Sequence, residues 1–236
     1  MSTESDRDRL HGLLNTLAER TGGPFRLAEC HGKLNWPMRG VYFFYEHGEV
    51  RPDGTPRLTR IGTHALKSGG KATLWNRLGT HRGTIAGGGN HRGSIFRLHV
   101  GTGLLRRDDT LAPCNTWSVG NSAKKPITSR EMHVEQAVSA HIGAMPFLVV
   151  NVDDEPGPTS DRAMIETGCI RLLSCIGSEP PTSDAPSPNW LGHHAASEKV
   201  RSSGLWNVKE TKGPHDPQAL DTLEHWVNET EPISPK

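Results

Sequence analysis

Two short apolar runs joined by a turn-rich segment limit the folds open to this chain more than any other feature. Residues 40–45 and residues 58–63 are rich in β-branched and aromatic side chains, which predicts two strands. The segment 46–56 between them holds two glycines and two prolines, which are typical of a turn-rich connection. The two strands are therefore predicted to form a hairpin. A hairpin at this place argues against a doubly wound parallel sheet and favours an α+β fold.

The remaining elements follow from spacing and capping. Leucines at positions 10, 13, 14 and 17 predict a helix over residues 4–20, and Thr73 is a predicted N-cap for a helix ending near His81. Residues 94–101 are compatible with either a strand or a helix. The further predictions are a strand over residues 147–152 and helices over residues 129–142, 161–175, 198–203 and 218–229.

This order predicts a small mixed or antiparallel three-stranded sheet flanked by helices, with helical N- and C-terminal extensions. The predicted domains are an N-terminal extension over residues 1–36, a central domain over residues 37–176 and a C-terminal loop and helical tail over residues 177–236. Hydrophobic residues make up only 33% of the chain, and glycine and proline are frequent, which indicates a modest core with long loops. Tryptophans of the tail, such as Trp190 and Trp206, are predicted to cap that core.

Cysteine usage and the chain start bear on location. The four cysteines show neither zinc-ligand spacing nor a dense disulfide framework. The first residues are polar and charged, unlike a signal peptide, and no apolar run approaches the ~20 residues of a membrane helix. These features predict a cytoplasmic protein without a membrane partner.

Charge is unevenly distributed, although the formal net charge is only +1. The segment 51–107 contains eleven lysines and arginines, and Asp53 is its single acidic residue. A positive electrostatic field attracts polyanions, of which nucleic-acid backbones are the commonest. The alternative is a basic surface that acids from elsewhere in the chain balance in space.

The two strands carry a recognisable pair of tripeptides. Gly40-Val41-Tyr42 resembles the Gly-Ile-Tyr of the GIY-YIG nucleases, and Arg60-Ile61-Gly62 occupies the place of their Tyr-Ile-Gly. The helix that follows resembles the first helix of that family, in which an arginine points into the site. Its Arg77 and His81, four residues apart, are similar to the pair of a restriction-endonuclease branch. Glu166, on the helix after the last strand, lies where the family has its metal-binding glutamate.

This resemblance implies a phosphodiesterase site. It assigns Arg77 to the phosphate, Glu166 to Mg²⁺ or Mn²⁺ and Tyr42 to the nucleophilic water. His81, with an ordinary pKa of about 6.5, is an alternative acceptor for the proton of that water. His64 directly follows the second tripeptide and is a candidate contact for the phosphate or the leaving group. Arg60 stands where the family has a tyrosine, and an arginine holds phosphate but accepts no proton.

Three further sites stay open at the level of sequence. Glu135, on another amphipathic helix, is the alternative to Glu166 as metal ligand. Asn189 is the candidate for the asparagine that often follows the glutamate helix in the family. His91 and Arg92, at the end of a glycine-rich loop, are candidate donors to nucleic-acid phosphates.

The leading hypothesis is a metal-dependent endonuclease acting on nucleic acid, with DNA favoured over RNA. The second hypothesis is a nucleic-acid-binding module that keeps the GIY-YIG fold without activity, and Arg60 is its main support. An unrelated metallohydrolase that uses the histidines is a third. No His-x-x-x-His or His-Glu-x-x-His pattern supports that third hypothesis. Substrate form and oligomeric state are not readable from the sequence.

Overall fold

A four-stranded antiparallel sheet forms the centre of the computed structural model, which describes residues 3–157, 159–177 and 182–235. Its strands are β1 (Phe25–Arg26), β2 (Gly40–Val50), β3 (Pro56–Gly62) and β4 (Pro146–Asn151). They lie in the order β1-β4-β2-β3, and every pair is antiparallel. The predicted α+β fold is thereby confirmed, with β4, β2 and β3 as the three predicted strands. The two-residue β1, beside β4, was not predicted because two residues carry no periodicity.

Eight helices flank this sheet within the same described residues. They are α1 (Thr3–Thr21), α2 (Leu74–Arg82), α3 (Ile95–Arg107), α4 (Lys125–Arg130), α5 (Met132–Ala144), α6 (Asp161–Leu173), α7 (Glu198–Ser203) and α8 (Gln218–Glu229). The ambiguous segment 94–101 belongs to α3, and the Ser94 side chain caps that helix by accepting a hydrogen bond from the backbone N–H of Arg97.

Each face of the sheet buries its own apolar cluster. Side chains alternate along β2, so Tyr42 and Phe44 join a cluster with α2, α3 and α5. Val41 and Phe43 point the other way and join a cluster with α1, α6 and α8. The chain therefore has helices on both faces, and the residues of β2 connect the two halves of the core.

Both terminal segments pack onto this core. Leu10 and Leu14 of α1 and Leu223 of α8 belong to one buried cluster, and Trp190 and Trp206 belong to the other. The predicted capping role of these two tryptophans is confirmed, since both are fully buried. The domain boundaries after residues 36 and 176 stay predictions.

Strand β2 runs to Val50, beyond its predicted end at residue 45, because two glutamates are buried along it. The Glu46 carboxylate accepts hydrogen bonds from the indoles of Trp190 and Trp206. Glu49 pairs with Arg57 of β3 at 2.8 Å. The glycines and prolines of segment 46–56 predict a connection here, whereas Glu46 and Glu49 lie in the strand and each has a buried partner. No helix in the described residues is long and apolar enough to cross a membrane.

Candidate functional site

A cleft of about 650 Å³ opens where β2 begins and β3 ends, between helices α2 and α6. Four of the six predicted catalytic residues line it, namely Tyr42, Arg60, Arg77 and Glu166. They come from four different elements: β2, β3, α2 and α6. The rest of the wall includes Thr63, Ile95 and a segment before α8, residues 207–210.

Tyr42, which lines the cleft, is hydrogen-bonded to His81, which does not line it. The Tyr42 hydroxyl lies 2.9 Å from His81 Nε2, and His81 Nδ1 lies 2.8 Å from the Ser94 hydroxyl. When Nδ1–H donates to Ser94, Nε2 accepts from the tyrosine O–H; the other tautomer reverses both bonds. Neither Tyr42 nor His81 has exposed surface. The hydrogen bond between the two side chains therefore fixes the position of the tyrosine hydroxyl.

The glycines of both tripeptides have a steric reason. Tyr42 pairs with Gly62 across the hairpin, and a Cβ added at Gly62 would lie 2.2 Å from the tyrosine hydroxyl. A Cβ at Gly40 would lie 2.3 Å from the carbonyl oxygen of Val150. The glycines thus let the Tyr42 ring cross β3 and let β2 approach β4.

The environment of His81 argues against its predicted role as the proton acceptor. Complete burial lowers its pKa well below the usual value, and the charges of Arg77, Arg60 and Arg97 add to that effect. A neutral imidazole with three guanidinium groups nearby resists protonation. What the geometry shows is a hydrogen bond between His81 and the Tyr42 hydroxyl.

Glu166 projects from α6, a helix capped by Ser160, and its side chain is half-buried. Burial raises the pKa of its carboxyl group. Arg60, the backbone N–H of Thr63 and Arg77 act in the opposite direction, and the charge of Glu210 adds to the increase. The carboxylate thus faces two guanidinium groups inside the cleft.

The alternative metal ligand, Glu135, is engaged elsewhere. Its Oε1 accepts from the His91 backbone N–H at 2.6 Å and from His91 Nδ1 at 2.9 Å, and its Oε2 accepts from Arg97 Nε at 3.0 Å. Burial alone would raise its pKa, but the hydrogen bond from His91 and the charge of Arg97 lower it overall. Glu135 does not line the cleft, and its contacts are structural.

The two arginines of the cleft differ in how they are held. Arg60 is buried, donates from Nη1 to the carbonyl oxygen of Trp206 at 2.8 Å and lies 5.2 Å from the centre of the Phe96 ring. Arg77 is half-exposed, and its Nη1 donates a long hydrogen bond of 3.5 Å to the Gly93 carbonyl. Arg60 is thus fixed in place, whereas Arg77 is free to adjust to a ligand.

The remaining predicted residues do not line the cleft. His64 is buried, its Nε2 donates to the Met38 carbonyl at 3.2 Å, and burial followed by the charge of Arg162 lowers its pKa to about 4. His91 contacts Glu135, and Arg92 forms a two-pronged ion pair with Glu131. Both line a neighbouring groove that also includes Arg77. Asn189 is exposed on a turn outside the lining, so its predicted positioning role has no support in the geometry.

Four of the nine arginines in the basic segment 51–107 are paired with carboxylates. Arg57 pairs with Glu49, Arg97 with Glu135 and Arg92 with Glu131. Arg51 contacts three aspartates, Asp8, Asp53 and Asp184. The alternative of a basic surface balanced by acids therefore holds for these four arginines, and the cationic side chains that line the cleft are Arg60, Arg77 and Lys209.

Asn207 is a cleft residue that the sequence did not reveal. Its side-chain amide donates to the Ile61 carbonyl at 2.8 Å, and its Oδ1 accepts from the Ile61 N–H at 3.2 Å. The backbone N–H of Trp206 also donates to Thr59 at 2.8 Å. These bonds cover the open edge of β3 and place residues 207–210 against the cleft. The expectation of an asparagine after α6 could have pointed to Asn207 as well as to Asn189.

Asn207→Ala should reduce both stability and activity. It leaves both polar backbone groups of Ile61 without these partners, at a cost of about 1–3 kcal/mol for a buried unsatisfied group. Thermal unfolding and nucleic-acid cleavage measure the two effects. Asn189→Ala is the matched control and should leave both unchanged. An active, fully stable Asn207→Ala beside an impaired Asn189→Ala would reverse the assignment.

Acid should destabilise the fold through three buried histidines, His64, His81 and His99. Burial lowers the pKa of each, to about 4 for His64 and His99. The unfolded chain therefore binds more protons below about pH 6.5, so this part of the stability falls as the pH drops toward 4. Removing one such group with His99→Gln should flatten the slope of unfolding free energy against pH by at most about 1.4 kcal/mol per pH unit. Unfolding curves at several pH values test this, and an unchanged slope would contradict it.

The comparisons with known proteins agree with this geometry. Searches of curated proteins and of solved structures returned no match. A family model described as a GIY-YIG domain matches residues 1–233, so it spans both terminal segments as well as the cleft. The chain therefore belongs to the GIY-YIG domain family.

Proposed function

We propose that this protein is a metal-dependent endonuclease that hydrolyses phosphodiester bonds, with DNA as its substrate. GIY-YIG membership indicates nuclease activity in general. The observation that carries the specific proposal is the cleft in which Tyr42, Arg60, Arg77 and Glu166 meet. It contains a hydroxyl group, two permanently charged guanidinium groups and a carboxylate, which are the kinds of group that phosphodiester hydrolysis requires.

The donor set of the cleft fits Mg²⁺ or Mn²⁺. The described residues contain no cluster of three or more His, Cys, Asp and Glu side chains suited to a metal. Mg²⁺ is commonly held by one or two carboxylates together with waters and substrate phosphates, so Glu166 is a sufficient protein ligand. A cation bound there would neutralise charge on the phosphate and lower the pKa of a bound water.

The protein groups supply binding, orientation and a path for the proton. Arg60 and Arg77 bind the phosphoryl oxygens with fixed positive charge. The Tyr42 hydroxyl is the protein group proposed to take part in proton transfer, and His81 orients it through the 2.9 Å contact. Because Tyr42 has no exposed surface, neighbouring side chains have to move before a nucleophilic water can reach its hydroxyl.

A non-catalytic nucleic-acid-binding module is the second candidate. Arg60 in place of the second motif tyrosine favours it, because an arginine removes one hydroxyl group from the cleft. Both candidate functions have nucleic acid as the ligand, and they differ in whether the protein cleaves it.

Four free cysteines in the described residues accord with a reducing compartment, so the cytoplasm is the proposed location.

Cleavage of supercoiled plasmid tests the proposal. Wild-type protein is incubated with plasmid, single-stranded DNA or RNA in Mg²⁺, in Mn²⁺ and in EDTA, beside Arg77→Ala. An endonuclease nicks plasmid only with metal, and Arg77→Ala abolishes nicking. A binding module cleaves nothing, and Arg77→Ala only weakens its salt-dependent binding. If the protein cleaved RNA but neither form of DNA, RNA would be the substrate instead of DNA.

A further inference from the structure

The charge around Glu166 is unusual for a site that takes a divalent cation. Arg60 and Arg77 both act on the Glu166 carboxylate, and Lys209 lines the same cleft. Glu210 is the other carboxylate of the lining, but it is paired with Arg171 at 2.8 Å. The carboxylate that would hold the metal is therefore outnumbered by cations.

Arg60 has hydrogen-bonding capacity that the protein leaves unused. Its side chain is 5% exposed, and among the described residues its Nε has no hydrogen-bond partner. Its Nη1 is occupied by the Trp206 carbonyl, and the Phe96 ring lies against the guanidinium group. Several other arginines also have a buried nitrogen without a partner, but among the described residues Arg60 is the one of them that lines the cleft, where a charged donor favours an anion.

A phosphate group satisfies this arrangement. Guanidinium groups bind phosphate oxygens through charge-assisted hydrogen bonds, and Arg77 on the opposite wall supplies a second set of donors. We propose that Arg60 and Arg77 form a phosphate site that fills before the metal, so that Glu166 binds the divalent cation weakly until a phosphodiester is in place. The inference rests on the proposed function of the same cleft.

The order of binding follows from electrostatics. A divalent cation entering the empty cleft meets two guanidinium groups that line the same cleft, which opposes its attraction to one carboxylate. A bound phosphodiester cancels positive charge and adds oxygen ligands of the kind that Mg²⁺ prefers. Coupling of this kind is reciprocal, so the metal must also tighten binding of the phosphodiester.

The effect is specific to the residue that replaces the motif tyrosine. With a tyrosine at position 60, the cleft would keep a single motif guanidinium group, that of Arg77. Arg60→Tyr and Arg60→Gln should therefore bind metal more tightly than the wild type when nucleic acid is absent. Arg60→Lys keeps the charge and should keep the dependence on phosphate.

Mn²⁺ binding measured by electron paramagnetic resonance tests the inference without using activity. The protein is titrated alone, with inorganic phosphate, with a cleavage-resistant phosphorothioate oligonucleotide and with a neutral methylphosphonate oligonucleotide. Mn²⁺ binding by each oligonucleotide alone is subtracted. Wild-type protein should gain roughly tenfold in Mn²⁺ affinity with the phosphorothioate strand, within the range usual for two coupled sites, and gain nothing with the neutral strand. If inorganic phosphate also raises the Mn²⁺ affinity, phosphate itself is the ligand. If only the phosphorothioate strand raises it, the ligand is the phosphodiester.

The variants keep the test decisive. Arg60→Gln should lose most of the gain, and Arg77→Gln, at a half-exposed position, repeats the test if Arg60→Gln does not fold. Lys199→Gln, exposed on α7, removes a charge outside the cleft and should behave as the wild type. Equal Mn²⁺ affinity with and without the strand, or a gain that survives loss of these arginines, would overturn the inference.

Failure of this inference is distinguishable from failure of the proposed function. A protein that nicks plasmid but binds Mn²⁺ independently of phosphate refutes the order of binding alone. A protein that shows the coupling but cleaves no nucleic acid refutes the endonuclease and leaves the phosphate site in place.

Discussion

Replacing Glu166 with glutamine is expected to reduce metal-dependent cleavage by about 10³-fold or more while leaving the fold intact. Loss of the carboxylate removes the one protein ligand proposed for the cation, whose charge stabilisation amounts to several kcal/mol. The fold should not suffer, because burial raises the pKa of Glu166. A raised carboxyl pKa means that the charged form is disfavoured in the folded state, so a neutral side chain costs no stability at neutral pH.

Plasmid nicking in Mg²⁺ and Mn²⁺ and thermal unfolding of the same preparation measure these two effects. Glu210→Gln is the matched control, since Glu210 shares the cleft but is paired with Arg171. It should retain most of the activity. Glu166→Gln protein that cleaves at the wild-type rate would remove Glu166 from the proposed mechanism.

Replacing Glu135 with alanine should have the largest effect on stability, costing about 3–5 kcal/mol. The substitution leaves the guanidinium group of Arg97, fully buried, without its carboxylate partner and takes away the acceptor of His91. A change of this size lowers the melting temperature of a chain of this length by about 10 °C. The same substitution should spare the chemistry in whatever fraction of the protein remains folded.

Thermal unfolding of Glu135→Ala beside Glu166→Gln separates the two candidate metal ligands. We expect Glu135→Ala to have a lowered melting temperature but to cleave when folded. We expect Glu166→Gln to have the melting temperature of the wild type but not to cleave. Glu135→Gln retains part of the hydrogen bonding and should fall between the wild type and Glu135→Ala in stability. The opposite pattern, with stable but inactive Glu135→Ala, would make Glu135 the metal ligand.

The resemblance to GIY-YIG nucleases could be recognised from local sequence because steric constraints between near neighbours require the motif glycines and the motif tyrosine. Gly62 has to lack a side chain where the Tyr42 ring crosses it, and Gly40 has to lack one beside β4. Strand and helix patterns around them follow from alternation and capping. These features persist in any chain that folds this way, so a single sequence displays them.

Other features could not be predicted from the sequence, for a physical reason. The positive charge of segment 51–107 was overestimated at four arginines because their carboxylate partners, such as Glu49 and Glu131, lie far away along the chain or in turn-rich segments. Asn207 was missed because its bonds to Ile61 join residues 146 positions apart. The acceptor role considered for His81 rested on an ordinary pKa, which burial removes.

The sequence by itself determined the hairpin, the helix that carries Arg77, the helix that carries Glu166 and the family to which they belong. These depend on periodicity, capping and steric needs that act between near neighbours. Only the tertiary structure decided which glutamate faces the cleft, which arginines are already paired and which asparagine covers β3. Those outcomes depend on burial and on partners brought together by packing, because the energy of a charge or hydrogen bond is set by its surroundings and not by its place in the chain.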